Sequence, residues 1–111
     1  MNKETFDKYK NNLLRKAADK RKEKEEEYFS TKDSLGNFRR IAVFRNSSTP
    51  VAIMDLGAKS LQSISDMVND EFLGDDLGDE KPTLAQWDEK FVDAINYLLK
   101  LYASVREARG E

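Results

Sequence analysis

Residues 37–56 read NFRRIAVFRNSSTPVAIMDL, and how this stretch is taken decides the fold. It is dense in β-branched and aromatic residues, the types enriched in strands, and it is split by NSSTP, a turn-rich cluster. NFRRIAVFR and PVAIMDL therefore predict two antiparallel strands joined by a short loop around Asn46 to Thr49. In the first, Phe38, Ala42 and Phe44 share one face with Arg40, while Ile41 and Val43 share the other with Arg39 and Arg45. Pro50 has no N–H to give a ladder and belongs at the first residue or the edge of its strand. EYFSTK, just before the KDSLGN turn, predicts a third strand, with the end of the preceding helix as the alternative.

The flanks carry a helical period. Phe6, Tyr9, Leu13, Leu14, Ala17 and Ala18 recur at three- and four-residue spacing, predicting a helix over 1–27. Its second half, DKRKEKEEE, has no apolar residue; Arg21/Glu25 and Lys22/Glu26 are opposite charges four apart, which extends a helix already anchored elsewhere. This half is expected to project into solvent. After Gly57, read as a breaker, Leu61, Ile64, Val68 and Phe72 with Met67 beside them predict a helix over 58–73. LGDDLGDEKP follows as an acidic loop over 74–82. Thr83 and Gln86 then have capping-box spacing ahead of a long amphipathic helix over 83–108. There Leu84, Trp87, Phe91, Ala94, Leu98, Leu101 and Val105 alternate at three and four residues for three heptads. At ~1.5 Å per residue this helix is on the order of 35 Å long. The sequence thus predicts one α+β domain spanning 1–111: strands over 28–56 flanked by one N-terminal and two C-terminal helices.

Composition narrows the chemistry. Among 111 residues there are no cysteines and no histidines. That excludes a cysteine nucleophile, a Ser-His-Asp triad, thiol redox chemistry and Cys/His zinc sites. The net charge of −2 hides an uneven distribution: residues 1–45 sum to +5 and residues 46–111 to −7. The N-terminus lacks the apolar core of a secretory signal, and no window approaches the ~18 apolar residues of a membrane span. A cytoplasmic protein without membrane contact is the expectation.

Two charged constellations and one apolar stripe are the candidate sites. Between Ser60 and Glu80 every charged residue is an acid: Asp66, Asp70, Glu71, Asp75, Asp76, Asp79 and Glu80. Such a stretch attracts a protein partner with a basic surface. Asp75, Asp76, Asp79 and Glu80 do not have EF-hand spacing, so no metal is assigned. The basic alternative comprises Lys16, Lys20 and Arg21 on the first helix with Arg39, Arg40 and Arg45 on the hairpin, interleaved with Phe38 and Phe44 as stacking positions for nucleic acid. The stripe over 84–105 is the third, as the seam of a homodimer. Most of that stripe is expected to be buried against the hairpin and Phe6, Tyr9 and Leu13, which leaves the excess length near Tyr102 and Val105 for self-association.

Enzyme signatures are missing. Glu23 and Glu26 supply half of the magnesium-binding pattern of all-α nucleotide pyrophosphohydrolases, but no later E-x-x-D completes it. The five glycines make neither G-x-G-x-x-G nor a P-loop. The expected function is therefore non-catalytic, without cofactor: a small protein acting by binding a macromolecule. Short, cysteine-free, charge-bipolar chains of this kind resemble, as a class, the accessory and inhibitor proteins of phages and other mobile elements. These include proteins that block nucleic-acid enzymes such as CRISPR effectors, and the resemblance implies binding through the acidic residues.

Overall fold

The computed structural model describes residues 1–27, 33–73 and 81–111. It contains four helices: α1 (Lys3–Glu27), α2 (Gly36–Phe44), α3 (Thr49–Phe72) and α4 (Leu84–Ala108). No strand occurs among the described residues. The α+β expectation is therefore overturned: both segments read as strands are helical. EYFSTK, read as a third strand, lies at its last five residues outside the described residues, as do residues 74–80 of the acidic loop.

The physical reason is visible in burial. A strand would bury alternate residues, yet Arg40 and Phe44 are exposed while Leu35 and Ala42 are buried and Phe38 and Ile41 half-buried. Leu35, Phe38, Ile41 and Ala42 have helical spacing, which outweighs the strand preference of the residue types. The same holds beyond the turn, where Ala52, Ile53, Leu56, Gly57 and Ser60 face inward at three- and four-residue intervals. NSSTP does make a turn, between two helices. Asn46 takes the left-handed conformation at φ 53°, which asparagine tolerates better than most residues. Ser48 then caps α3, its Oγ accepting from the Val51 N–H at 3.4 Å. Pro50 occupies the first turn, where a helix has no use for the missing N–H. So the proline opens a helix rather than a strand.

Gly57 does not break α3; it lets α4 come close. A Cβ at this position would stand 3.1 Å from Tyr97 Cβ. With Phe72 packed on Trp87 at 6.3 Å between ring centroids, this contact shows that α3 and α4 run antiparallel. α4 begins with the expected capping box: Thr83 Oγ1 accepts from the Gln86 N–H at 3.2 Å and Gln86 Oε1 from the Thr83 N–H at 2.8 Å.

The helix backbones pack as α3 on α4, α1 on α4 and α2 on α3. Side chains alone link α2 to α4: Phe38 meets Tyr97 edge-on at 6.1 Å, and Arg39 bridges to Glu107. The buried apolar residues are Ala17, Leu35, Ala42, Ala52, Ile53, Val92 and Ala94. Four of them are alanines, so the helices approach closely but remove little apolar surface from water. The chain exposes 8498 Å², about 2200 Å² more than the roughly 6300 Å² of a compact monomer of 12.8 kDa. Its radius of gyration of 16.5 Å likewise exceeds the roughly 13 Å of a compact 111-residue domain. No helix among the described residues is long and apolar enough to cross a membrane.

Candidate functional site

Two surfaces carry the chemistry, and they lie back to back. The first is an apolar seam along the α3/α4 pair. On α3, Met54, Leu61 and Val68 are spaced by seven residues and are each 40–41% exposed. On α4, Leu84, Phe91, Leu98 and Val105 are also spaced by seven and are likewise exposed, Leu84 to 75%. Met54, Leu61, Leu98 and Leu101 share one shallow apolar groove over Gly57 and Ala94. Trp87 closes one end, stacked on Phe91 at 6.1 Å, with its indole N–H donating to Glu71 Oε2 at 2.8 Å.

The expected covering of the α4 stripe is thus only partial: Ala94 is buried and Trp87 and Leu101 half-buried, while Leu84, Phe91, Leu98 and Val105 stay exposed. Phe6 and Tyr9 are themselves each 57% exposed. On α1 it is the middle that is tied down. Lys16 Nζ bonds Asp88 Oδ2 at 2.6 Å, Arg21 donates to Asn96 Oδ1 at 2.8 Å, and Asn96 Nδ2 donates to the Ala17 carbonyl at 3.1 Å. Beyond Arg21, residues 22–26 of the half expected to project into solvent are exposed.

The second surface is a cleft. Among the described residues the backbone of α1 packs on neither α2 nor α3, and a concavity of about 510 Å³ remains above α4. Lys20, Arg21 and Lys24 of α1, Arg40 of α2, Lys59 of α3 and Lys100 of α4 line it, with Glu25, Asp33 and Asp93 as the carboxylates. Phe38, Ile41, Leu56 and Tyr97 supply apolar wall. At 100° per residue, Leu56, Lys59 and Ser60 fall on the side of α3 opposite Met54 and Leu61. Asp93, Asn96 and Lys100 likewise fall opposite Phe91 and Leu98 on α4.

The basic candidates are therefore divided. Lys16 is committed to Asp88, whereas Lys20, Arg21 and Arg40 converge in the cleft. Arg45, expected on a strand, is exposed just beyond the end of α2. Arg39, also expected on the hairpin, does structural work: its Nε donates to Asp33 Oδ2 at 2.7 Å and its Nη2 to Glu107 Oε2 at 2.6 Å. The guanidinium holds both carboxyls below their ordinary values, chiefly through these hydrogen bonds, and the two acids hold Arg39 above its own, Glu107 foremost. Phe38 packs on Tyr97, while Phe44 is exposed. Lys59 and Lys100 are cleft residues that the sequence did not single out with the others. Lys59 and Lys100 are isolated cations in an acidic half, and only the helical reading of residues 49–72 brings Lys59 round to α1.

The acidic candidates are dispersed too. Asp66 is exposed and accepts from Gln62 Nε2 at 2.9 Å, Asp70 is exposed one turn on, and Glu71 holds Trp87. Asp75, Asp76, Asp79 and Glu80 lie outside the described residues. Among the described residues no three carboxylates gather into a metal-sized cluster. Comparison with protein-family models, with curated proteins and with solved structures finds no match for this chain.

Proposed function

We propose that this chain is a non-catalytic binding protein that works as a homodimer, its α3/α4 pairs joined face to face through the apolar seam. The open seam carries this reading. A seven-residue repeat on two adjacent antiparallel helices is the packing code of a four-helix bundle, and one α3/α4 pair supplies half of such a bundle. Both helices repeat at the same interval, so the face is complementary to itself under a two-fold axis. A non-catalytic role is supported by a sequence without histidine, cysteine or a nucleotide-binding glycine motif.

Sedimentation velocity over a range of concentrations tests the dimer. The wild-type chain is expected at twice 12.8 kDa, and the double substitution Leu61→Glu with Leu98→Glu is expected at the monomer mass with its helical circular dichroism retained. Should that variant unfold, Leu84→Glu, at the exposed end of the seam, gives the same reading with less risk to the core. A wild-type chain that stays monomeric throughout, or seam variants that dimerise unchanged, refutes the proposal. The dimer's macromolecular partner is a protein with a basic surface, engaged by the exposed Asp66 and Asp70. An Asp66→Lys, Asp70→Lys variant that binds such a partner undiminished removes that part of the reading.

A further inference from the structure

We infer that the cleft between α1 and α3 binds a compact, multiply charged phosphate compound with an apolar or aromatic portion, of nucleotide size. Four different helices deliver six cations to its rim. Folding thus gathers like charges that the sequence keeps up to 80 positions apart. The opposing carboxylates are fewer, and one of them, Asp33, is bonded to Arg39. Arg21 is oriented by Asn96, and Lys100 by the Ser34 carbonyl at 2.9 Å. Lys20, Lys24, Arg40 and Lys59 form no ion pair among the described residues. Six ammonium and guanidinium groups against three carboxylates among the described residues are complementary to an anion of high charge density, phosphate above all.

The shape selects the class further. A cavity of about 510 Å³ lies within the range of small-ligand sites, roughly 300–1000 Å³. Its cations surround one concavity instead of following a line, which suits a compact anion better than a nucleic-acid strand. Phe38, held edge-on to Tyr97, offers with Ile41 and Leu56 a wall for the uncharged portion of the ligand. This inference is independent of the dimer, since apart from Tyr97, which lies between them, the cleft and the seam draw on different residues of α3 and α4.

Isothermal titration calorimetry with inorganic tripolyphosphate and with ATP tests it, with sodium chloride matched for ionic strength as the blank. Saturable binding of one ligand per chain is expected, with ATP tighter than tripolyphosphate. Lys59→Glu and Lys20→Glu should each weaken binding at least tenfold, whereas Lys90→Glu, outside the cleft, should change it less than twofold. Absence of saturable binding, or affinity indifferent to Lys59→Glu, overturns the proposal. So does a single-stranded oligonucleotide that binds more tightly than ATP through the same lysines, which would make the cleft part of a nucleic-acid track.

Discussion

Substituting Gly57 with valine tests the crossing of α3 and α4 where it is tightest. An added Cβ would stand 3.1 Å from Tyr97 Cβ and 3.4 Å from its Cγ, so alanine already requires the neighbour to yield by a few tenths of an ångström. Alanine also gains about 1 kcal/mol of helix propensity over glycine. Valine gains less, because its branched Cβ is restricted in a helix, and it adds two methyl groups to an occupied space. Overpacking of this kind costs typically ~1–3 kcal/mol, so Gly57→Val should lose about 2 kcal/mol net. For a domain of this size that corresponds to a fall in Tm of roughly 8–16 °C at ~4–8 °C per kcal/mol. Thermal melts followed by far-ultraviolet circular dichroism, at one fixed protein concentration, measure it. Ala58→Val is the control: Ala58 is exposed, so only helix propensity is lost there, about 0.6 kcal/mol. If Gly57→Val melts with the control, the helices do not cross at Gly57 and the antiparallel pairing argued from it is wrong.

Two further outcomes follow from the polar contacts. Asp33 and Glu107 are held by Arg39 below their ordinary values of 3.8 and 4.5. Their stabilising contribution is therefore complete above those values and is lost as pH falls through the lower folded-state ones. Arg39→Gln should lower stability at neutral pH and flatten its loss on acidification below about pH 4, so that the variant and wild-type profiles converge at low pH; an unaltered acid limb in urea titrations contradicts the bridge. Thr83→Ala removes one side of the capping box and should lower stability by about 1 kcal/mol, with Thr83→Ser restoring it. A Thr83→Ala variant as stable as the wild type in the same titrations shows that the cap does not form.

What the sequence disclosed and what it withheld divide along physical lines. The start of α4 was legible because Thr83 and Gln86 form a local device whose partners lie three residues apart. The heptad on α4 was legible because no competing signal interrupts it. Residues 37–56 misled because residue type and spacing disagreed there: valine, isoleucine and phenylalanine favour strands, while Leu35, Phe38, Ile41 and Ala42 are spaced for a helix. Pro50 and Gly57 deepened the error. Each has a strand-side reading as punctuation, yet Pro50 starts a helix behind the Ser48 cap and Gly57 admits Tyr97. That error also hid one end of the seam, since Met54 fell in a supposed strand and could not be aligned with Leu61 and Val68. Of the cleft, Lys20, Arg21 and Arg40 were visible as cations, but their meeting with Lys59 and Lys100 is a tertiary fact with no local signature.

The packing order has a consequence for how the chain holds its shape. α2, α3 and α4 follow one another and touch their neighbours in sequence, so their association closes only short loops. The backbone of α1 packs against α4 alone, the last helix in the chain, so this union closes the longest loop. α1 therefore has no helix to dock on until α4 is in place. The first segment of the chain is a clasp fastened to its last helix, and since α1 forms one wall of the cationic cleft, the cleft exists only while the clasp is shut.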